Sequence, residues 1–122
     1  KILANQNLAF SFAIKTQKIS CSDILFNYYT AILVRDFIAN LTKTEVKIKW
    51  PNDLILKNKK ICGMLFEKKG NYLVSGIGIN ILQENFENLP KAGSILSQTN
   101  LKFDLKNFAE SFYHYISEKL MT

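Results

Sequence analysis

Apolar and polar residues alternate along the middle of the chain, and a repeat of two residues is typical of a β-strand with one buried face. Val46, Ile48 and Trp50 alternate with lysines. Pro51 ends this run because it has no N–H for a strand ladder. The pattern then predicts a corner at 52–53, a short apolar run at 54–56, a turn at 57–59 and a strand at 60–68. A second turn at 69–71 and a last strand at 72–81 follow.

A second alternating stretch near the start of the chain predicts a strand over 7–15. Its apolar face consists of Leu8, Phe10, Phe12 and Ile14, and its other face carries Ala9, Ser11 and Ala13. We expect this strand to pair with the later sheet.

Two longer segments carry apolar residues at the three- and four-residue spacing of a helix. Ser22 can cap the first helix, which is expected to run to about Leu41, and Asp104 can cap the last one. The residues expected to face the core are Ile24, Tyr28, Ala31, Ile32, Phe37, Ile38 and Leu41 in the first helix, and Leu105, Phe108, Ala109, Phe112, Ile116 and Leu120 in the last. Residues 82–100, interrupted by a proline and a glycine, are expected to form loops and short turns without a binding site.

Two glycines share one face of the last central strand. From Gly76 to Ile81, isoleucines occupy one face, and Gly76, Gly78 and Asn80 occupy the other. Glycine inside a strand forgoes side-chain packing, so this face suits either the approach of a flat ligand or the close packing of a crossing helix. The Asn80 amide adds a group that both donates and accepts hydrogen bonds.

Length and composition fit one small globular domain. The chain has 122 residues, of which 48% are apolar, enough to build a core. It has no apolar run as long as a membrane span and no secretory leader pattern, so a cytoplasmic location is expected. Cys21 and Cys62 stand apart from any metal-binding pattern and are expected to be free, buried thiols. His114, the single histidine, is expected to be solvated.

The net charge of +6 is concentrated in the central hairpins. Residues 43–70 hold eight lysines against three acidic residues, and so carry five of the six net charges. A nucleic-acid surface is typically richer in arginine, and Arg35 is the only arginine of the chain. The charge therefore favours a small phosphate-rich ligand over DNA or RNA, with a basic RNA-binding module as the alternative.

Four short motifs together resemble those of biotin protein ligases. They are Asn7-Leu8-Ala9-Phe10-Ser11, Lys49-Trp50-Pro51-Asn52-Asp53, KKICGML at 59–65 with Lys60, Gly63 and Leu65, and GIGINI at 76–81. Each motif alone is weak, but their order and spacing make the resemblance specific. It covers about residues 5–82 well and the remainder loosely.

The resemblance implies an α+β fold with a mixed β-sheet flanked by helices, like the catalytic domains of biotin ligases and class II aminoacyl-tRNA synthetases. The whole chain, 1–122, is expected to be a single domain of this kind. The family's Ser-Thr strand, its Gly/Arg-rich loop and its C-terminal SH3-like barrel have no counterpart in this sequence. We therefore expect an N-terminally incomplete catalytic domain that is inactive or weakly active by itself.

The function that the resemblance implies is the ATP-dependent attachment of biotin to a lysine of the biotin carboxyl carrier protein of acetyl-CoA carboxylase, through biotinyl-5′-AMP. ATP, biotin and Mg²⁺ are the implied ligands. A homodimer is a further expectation, whereas neither membrane binding nor a DNA-binding domain is expected. Two alternatives stay open: a lipoate or octanoate ligase, which shares the fold, and a non-catalytic, biotinyl-adenylate-binding regulatory remnant.

The matching positions imply a set of site residues. Lys60 is the implied catalytic residue, because a fixed cation offsets negative charge at the reacting phosphoryl group. Asp53 is the implied Mg²⁺ ligand. The implied biotin contacts are Lys60, Gly63 and Leu65, and the implied ATP or adenylate contacts are Asn7, Lys49, Trp50, Asn52, Asp53, Gly76, Gly78 and Asn80.

Strict alternation conflicts with this set at one point, because it puts Gly63 and Leu65 on the opposite face of the strand from Lys60. A β-bulge at Gly63, or a Lys60 that belongs to the preceding turn, would reconcile the three contacts. The sequence has no dinucleotide fingerprint, P-loop or nucleophile–histidine pair, which agrees with adenylation without a protein nucleophile.

Overall fold

The computed structural model describes residues 6–50 and 52–120, so the predicted end of a strand at Pro51 lies outside the described residues. The strands are β1 (Asn7–Lys15), β2 (Lys47–Lys49), β3 (Asp53–Leu56), β4 (Lys59–Lys69) and β5 (Tyr72–Asn80), and the helices are α1 (Asp23–Thr42), α2 (Ile95–Thr99) and α3 (Leu105–Leu120). A 3-10 helix, Thr16–Lys18, follows β1. The five-residue α2 falls where the sequence predicted only loops and short turns.

The strands form one sheet in the order β1-β5-β4-β3-β2. Three consecutive hairpins connect β2, β3, β4 and β5. β1 comes from a distant part of the chain and pairs with β5, as expected. The predicted α+β class is confirmed. The mixed sheet is not, since every strand pair in the described ranges is antiparallel. Parallel pairing within those ranges is confined to an isolated bridge between Lys60 and Ala92.

Two tight turns fix the register of the central hairpins. Lys57 and Asn58 have φ values of 47° and 69°, as a type I′ turn requires, and Leu56 consequently pairs with Lys59. Gly70, at φ 59°, begins the turn between β4 and β5. Each of the two turns is thus one residue shorter than predicted.

One face of the sheet carries the hydrophobic core, and α1 and α3 pack against it. Ile79 of β5 is fully buried in the same cluster as Phe112 of α3. The ring of Phe10 in β1 meets Phe112 edge-on, with 5.2 Å between centroids. The Tyr115 hydroxyl donates a 2.9 Å hydrogen bond to the Leu33 carbonyl, which joins α3 to α1.

Helix α1 begins after the predicted cap, Ser22, whose side chain accepts a hydrogen bond from the backbone of Leu25. Its buried face agrees with the prediction only in part, since Ala31 and Ile38 are buried whereas Ile24 and Tyr28 are 62% and 39% exposed. The buried residues of α1 are Phe26, Thr30, Ala31, Leu33, Val34, Ile38 and Thr42. Apolar residues surround the N-terminal half of this helix, so helical spacing alone could not show which side the sheet covers.

Helix α3 agrees with its prediction. The Asp104 carboxylate accepts a 3.0 Å hydrogen bond from the backbone of Asn107 at the helix start. The buried residues of α3 are Phe108, Phe112 and Ile116, while His114 is exposed as expected. No helix within the described residues is long and apolar enough to cross a membrane.

Two isoleucines of α1 test which face of the helix is buried. Ile38→Ala should lower the free energy of unfolding by about 2–5 kcal/mol, because it opens a cavity in the core. Ile24→Ala removes the same atoms from an exposed position and should change that free energy by only about 0.5 kcal/mol. Urea unfolding followed by circular dichroism measures both values. Equal losses would show that α1 presents a different face to the sheet.

Candidate functional site

The sheet face opposite the core forms the floor of an open cleft of about 880 Å³. Small residues make up much of this floor: Ala9 and Ser11 from β1, and Gly76 and Gly78 from β5. Eight of the predicted site residues line the cleft, namely Asn52, Asp53, Lys60, Gly63, Leu65, Gly76, Gly78 and Asn80.

The floor of the cleft is open at Gly76. A Cβ atom built on Gly76 would have only the carbonyl oxygen of Leu65 within 4 Å, at 3.9 Å. No helix atom of the described residues therefore packs on Gly76, so the crossing-helix explanation does not apply at this position. On the other face of the same strand, Ile77 and Ile79 are buried in the core.

A β-bulge in β4 brings Lys60 onto the same face as Gly63. Lys60 and Cys62 pair with consecutive residues of β3, which leaves Ile61 as an extra residue. As a result Ile61 and Cys62 are both buried, although they are neighbours in a strand. A bulge was one of the two predicted solutions, but it lies at Ile61 rather than Gly63, and Lys60 belongs to the strand rather than to the turn.

Lys60 and Asp53 form an ion pair in the cleft. The Lys60 Nζ atom lies 3.1 Å from Asp53 Oδ1, and the two side chains are 49% and 28% exposed. A Cβ atom on Gly63 would lie 3.4 Å from Cε and 3.5 Å from Nζ of Lys60, so the lysine occupies space that a larger residue at position 63 would fill. Because the pair is partly exposed, it contributes little to stability, and both charges stay accessible to a ligand.

Cys62 is a buried free thiol that borders the cleft. Burial raises its pKa strongly, the charge of Asp53 raises this pKa further, and the charge of Lys60 lowers it. The thiol is therefore neutral at physiological pH and is not suited to act as a nucleophile. Cys21 is also free, but it is exposed, so the expectation of a buried thiol is wrong at that position.

Asp53 is the only acidic side chain that lines the cleft in the described ranges. Within the same ranges, no group of three or more His, Cys, Asp or Glu side chains could hold a metal ion. A single carboxylate nevertheless fits Mg²⁺, which proteins usually bind through one or two carboxylates together with substrate phosphates. Metal binding at Asp53 stays a prediction that depends on a phosphate ligand.

Asn7, a predicted adenylate contact, lies away from the cleft wall and has a structural role. It is buried, and its Nδ2 donates a 2.7 Å hydrogen bond to Gln83 Oε1. Its Oδ1 accepts a 2.9 Å hydrogen bond from the backbone of Ile81. The amide thus ties the start of β1 to the chain that leaves β5.

The structure does not bring Trp50 and Lys49 to the cleft wall either. The Trp50 ring packs edge-on against Tyr28 of α1, with 4.8 Å between ring centroids. Lys49 is exposed on β2, opposite Asp53 in the strand register. A period-two pattern gives the face of each residue within its own strand, but it cannot give the distance from an edge strand to a ligand site.

Several residues of the cleft wall were not predicted: Ala9, Ser11, Phe86, Leu89 and Ala92. The small residues of β1 did carry a signal, because they alternate with large apolar ones as the glycines of β5 do. The residues between 86 and 92 belong to a loop of mixed polarity without periodicity, and their approach to β4 depends on contacts distant in sequence.

Residues 1–84 match the sequence profile of the biotin/lipoate A/B protein ligase family. Over 52 residues the chain is 38% identical to the biotin–[acetyl-CoA-carboxylase] ligase of Mycobacterium tuberculosis. This aligned stretch covers 43% of this chain and 20% of that protein. Over 86 residues it is 29% identical to the bifunctional ligase/repressor BirA of Escherichia coli, and this alignment covers 66% of this chain and 27% of that protein. The chain thus spans a minor part of the length of these relatives.

The fold is similar to that of a solved ligase. The biotin protein ligase from Aquifex aeolicus in complex with biotin and ATP matches with a TM-score of 0.82 and 28% identity, over 95% of this chain and 50% of that chain. The family profile covers more than half of the 122 residues and includes the three motifs of β2 to β5 that contribute side chains to the cleft. This chain therefore belongs to the biotin/lipoate A/B protein ligase family.

Proposed function

We propose that this protein attaches biotin to a lysine of a biotin carboxyl carrier protein in an ATP-dependent reaction that passes through biotinyl-5′-AMP. The observation that carries the proposal is the cleft, where the Lys60–Asp53 pair stands beside an open glycine floor. The family also includes lipoate ligases, but the relatives from Mycobacterium tuberculosis and Aquifex aeolicus are named as biotin ligases. A homodimer and a cytoplasmic location stay predictions.

The first chemical step joins two negatively charged reactants. The carboxylate oxygen of biotin attacks the α-phosphorus of ATP, a C–O–P mixed anhydride forms, and pyrophosphate leaves. Lys60 is the only lysine that lines the cleft in the described ranges, and its ammonium would offset the charge on the phosphoryl oxygens. The bulge at Ile61 supports this role because it directs Lys60 to the cleft side of the sheet.

The second step needs no nucleophile from this chain. The neutral amine of the acceptor lysine attacks the acyl carbon of the anhydride, an amide bond forms, AMP leaves with the electron pair of the broken C–O bond, and the amine proton passes to solvent. The described residues agree with this scheme, since Cys62 is a neutral buried thiol and His114 is exposed on α3.

Asp53 would serve two partners at the nucleotide end. Its Oδ1 holds Lys60 at 3.1 Å, which restricts the lysine side chain to the cleft. Its carboxylate would also hold a Mg²⁺ ion, which when bound to ATP would neutralise part of the phosphate charge.

The open floor fits an aromatic base. Gly76 and Gly78 would let the adenine ring approach the strand backbone closely. The Asn80 Nδ2 atom donates a 3.1 Å hydrogen bond to the Gly93 carbonyl, so its amide oxygen would be the group that accepts from the adenine amino group. Leu65, which is 61% exposed at the cleft, would give an apolar contact to the ring system of biotin.

Removal of the Lys60 charge tests the adenylation step. In the full-length protein, Lys60→Ala should lower the rate of biotin-dependent pyrophosphate exchange by about 10²–10³-fold, because an uncompensated charge then develops at the phosphoryl group. Lys69→Ala is the matched control, since Lys69 is an exposed lysine at the far end of the same strand. An unchanged rate in Lys60→Ala would make Lys60 an ordinary surface lysine.

A side chain placed on the glycine floor tests the nucleotide subsite. Gly76→Val should raise the KM for ATP by about 10-fold or more, because the branched side chain projects into the space assigned to adenine. The melting temperature should change little, since the position is open and valine favours strands. Ala13→Val, an exposed position on β1 outside this cleft, is the control. A parallel loss of stability and of ATP affinity would show that the floor is packed rather than open.

A further inference from the structure

The backbone of Lys60 is not held by β5. The ladder between β4 and β5 begins at the Cys62–Ile79 pair, and β5 ends at Asn80. Lys60 and the bulge residue Ile61 therefore extend beyond the strand that supports the rest of β4. Asp53 contacts the end of the Lys60 side chain and β3 lies on one side of its backbone, but the side where β5 would continue needs another partner.

A segment some thirty residues further along the chain takes the place of β5. The Lys60 N–H donates a 2.8 Å hydrogen bond to the Lys91 carbonyl, and the Lys60 carbonyl accepts a 3.0 Å hydrogen bond from the Gly93 N–H. A Cβ atom on Gly93 would lie only 2.8 Å from Lys59 Cβ, so this segment is pressed against β4 at a position that only glycine fits.

Two side-chain amides fasten this segment to the site. On the cleft side, the Asn80 Nδ2 atom donates a 3.1 Å hydrogen bond to the Gly93 carbonyl. Gln98 in α2 reaches across to the turn of the β3–β4 hairpin, where its Nε2 donates to the Lys57 carbonyl at 3.0 Å and approaches the Leu56 carbonyl at 3.4 Å. Gln98 does not line the cleft, so it has no direct path to a ligand there.

We propose that Gln98 is a positioning residue for Lys60. It locks the 91–98 segment onto the β3–β4 hairpin, and the segment in turn holds both backbone groups of Lys60. The inference rests on the proposed function, in which Lys60 must stand at the reacting phosphoryl group. Small displacements of such a group reduce rates strongly, even when the cause lies away from the chemistry.

The kinetic test removes the hydrogen-bond donor of Gln98. Gln98→Glu keeps the size of the side chain but replaces the donating amide by a carboxylate, which repels the two turn carbonyls. In the full-length protein it should lower the single-turnover rate of adenylation per active site by about 10-fold, with KM values for ATP and biotin within about twofold of wild type. Gln17→Glu, the same change at an exposed glutamine of the 3-10 helix, should leave the rate unchanged. An unchanged rate in Gln98→Glu overturns the proposal.

A double variant separates positioning from general structural damage. With Lys60→Ala in place, Gln98→Glu should alter the rate by less than about twofold, because the lysine that it positions is gone. A further loss of about 10-fold in that background overturns the proposal, since Gln98 would then act independently of Lys60.

Amide hydrogen exchange tests the anchoring without any activity. The Lys60 N–H should exchange about 10-fold faster in Gln98→Glu than in wild type or Gln17→Glu, because its acceptor at Lys91 becomes mobile. Unchanged protection of the Lys60 N–H overturns the proposal. If the wild-type protein shows no biotin-dependent pyrophosphate exchange, the proposed function fails, while the hydrogen-exchange result still decides whether Gln98 fixes Lys60.

Discussion

One inserted residue in β4 determines which side of the sheet carries the charge of the site. If β4 ran through Ile61 in strict alternation, without a bulge, Lys60 would lie on the same face as Cys62, which is buried in the core. The bulge lets two consecutive apolar side chains enter the core and leaves Lys60 on the open face. There the missing side chain of Gly63 provides room, and Asp53 on the adjacent strand provides the opposite charge.

The two faces of the sheet divide stability and binding between them. Large apolar side chains of the strands, such as Ile77 and Ile79, pack with α1 and α3 on one face. The other face carries glycine, alanine and serine and forms the floor of the cleft. Substitutions on the open face can therefore change ligand affinity with little effect on the core. The bulge links the two faces, because Ile61 is buried in the core and its neighbour Lys60 lines the cleft.

The strands followed closely from the sequence, because period-two alternation reports directly on a sheet with one buried face. The bounds of β1 and the cap of α1 at Ser22 are as predicted. The buried face of α1 was not predictable in the same way, since apolar residues such as Ile24 and Tyr28 occur on its exposed side. The free energy gained by burying one side of that helix depends on the sheet that it packs against, and not on the helix alone.

The site was predicted where motif and alternation agreed and missed where tertiary contacts decide. Gly76 and Gly78 lie in the cleft, as the pattern of β5 indicated. Asn7 belongs to a motif, but its side-chain amide is hydrogen-bonded to Gln83 and to the chain after β5. Asn7 and Gln83 are 76 positions apart, so local sequence does not reveal this pairing. The hold of residues 91–98 on Lys60 is equally non-local.

The central claim, that the cleft binds a biotinyl adenylate, is tested most directly by isothermal titration calorimetry of the full-length protein with biotinol-5′-AMP, a stable analogue of the mixed anhydride. We expect saturable binding of one analogue per chain, at least about 100-fold tighter than the binding of AMP alone, because the biotin part adds its own contacts. We also expect octanol-5′-AMP, the corresponding analogue for an octanoate or lipoate ligase, to bind more weakly. Absence of saturable heat, or equal affinity for the two analogues, would contradict it.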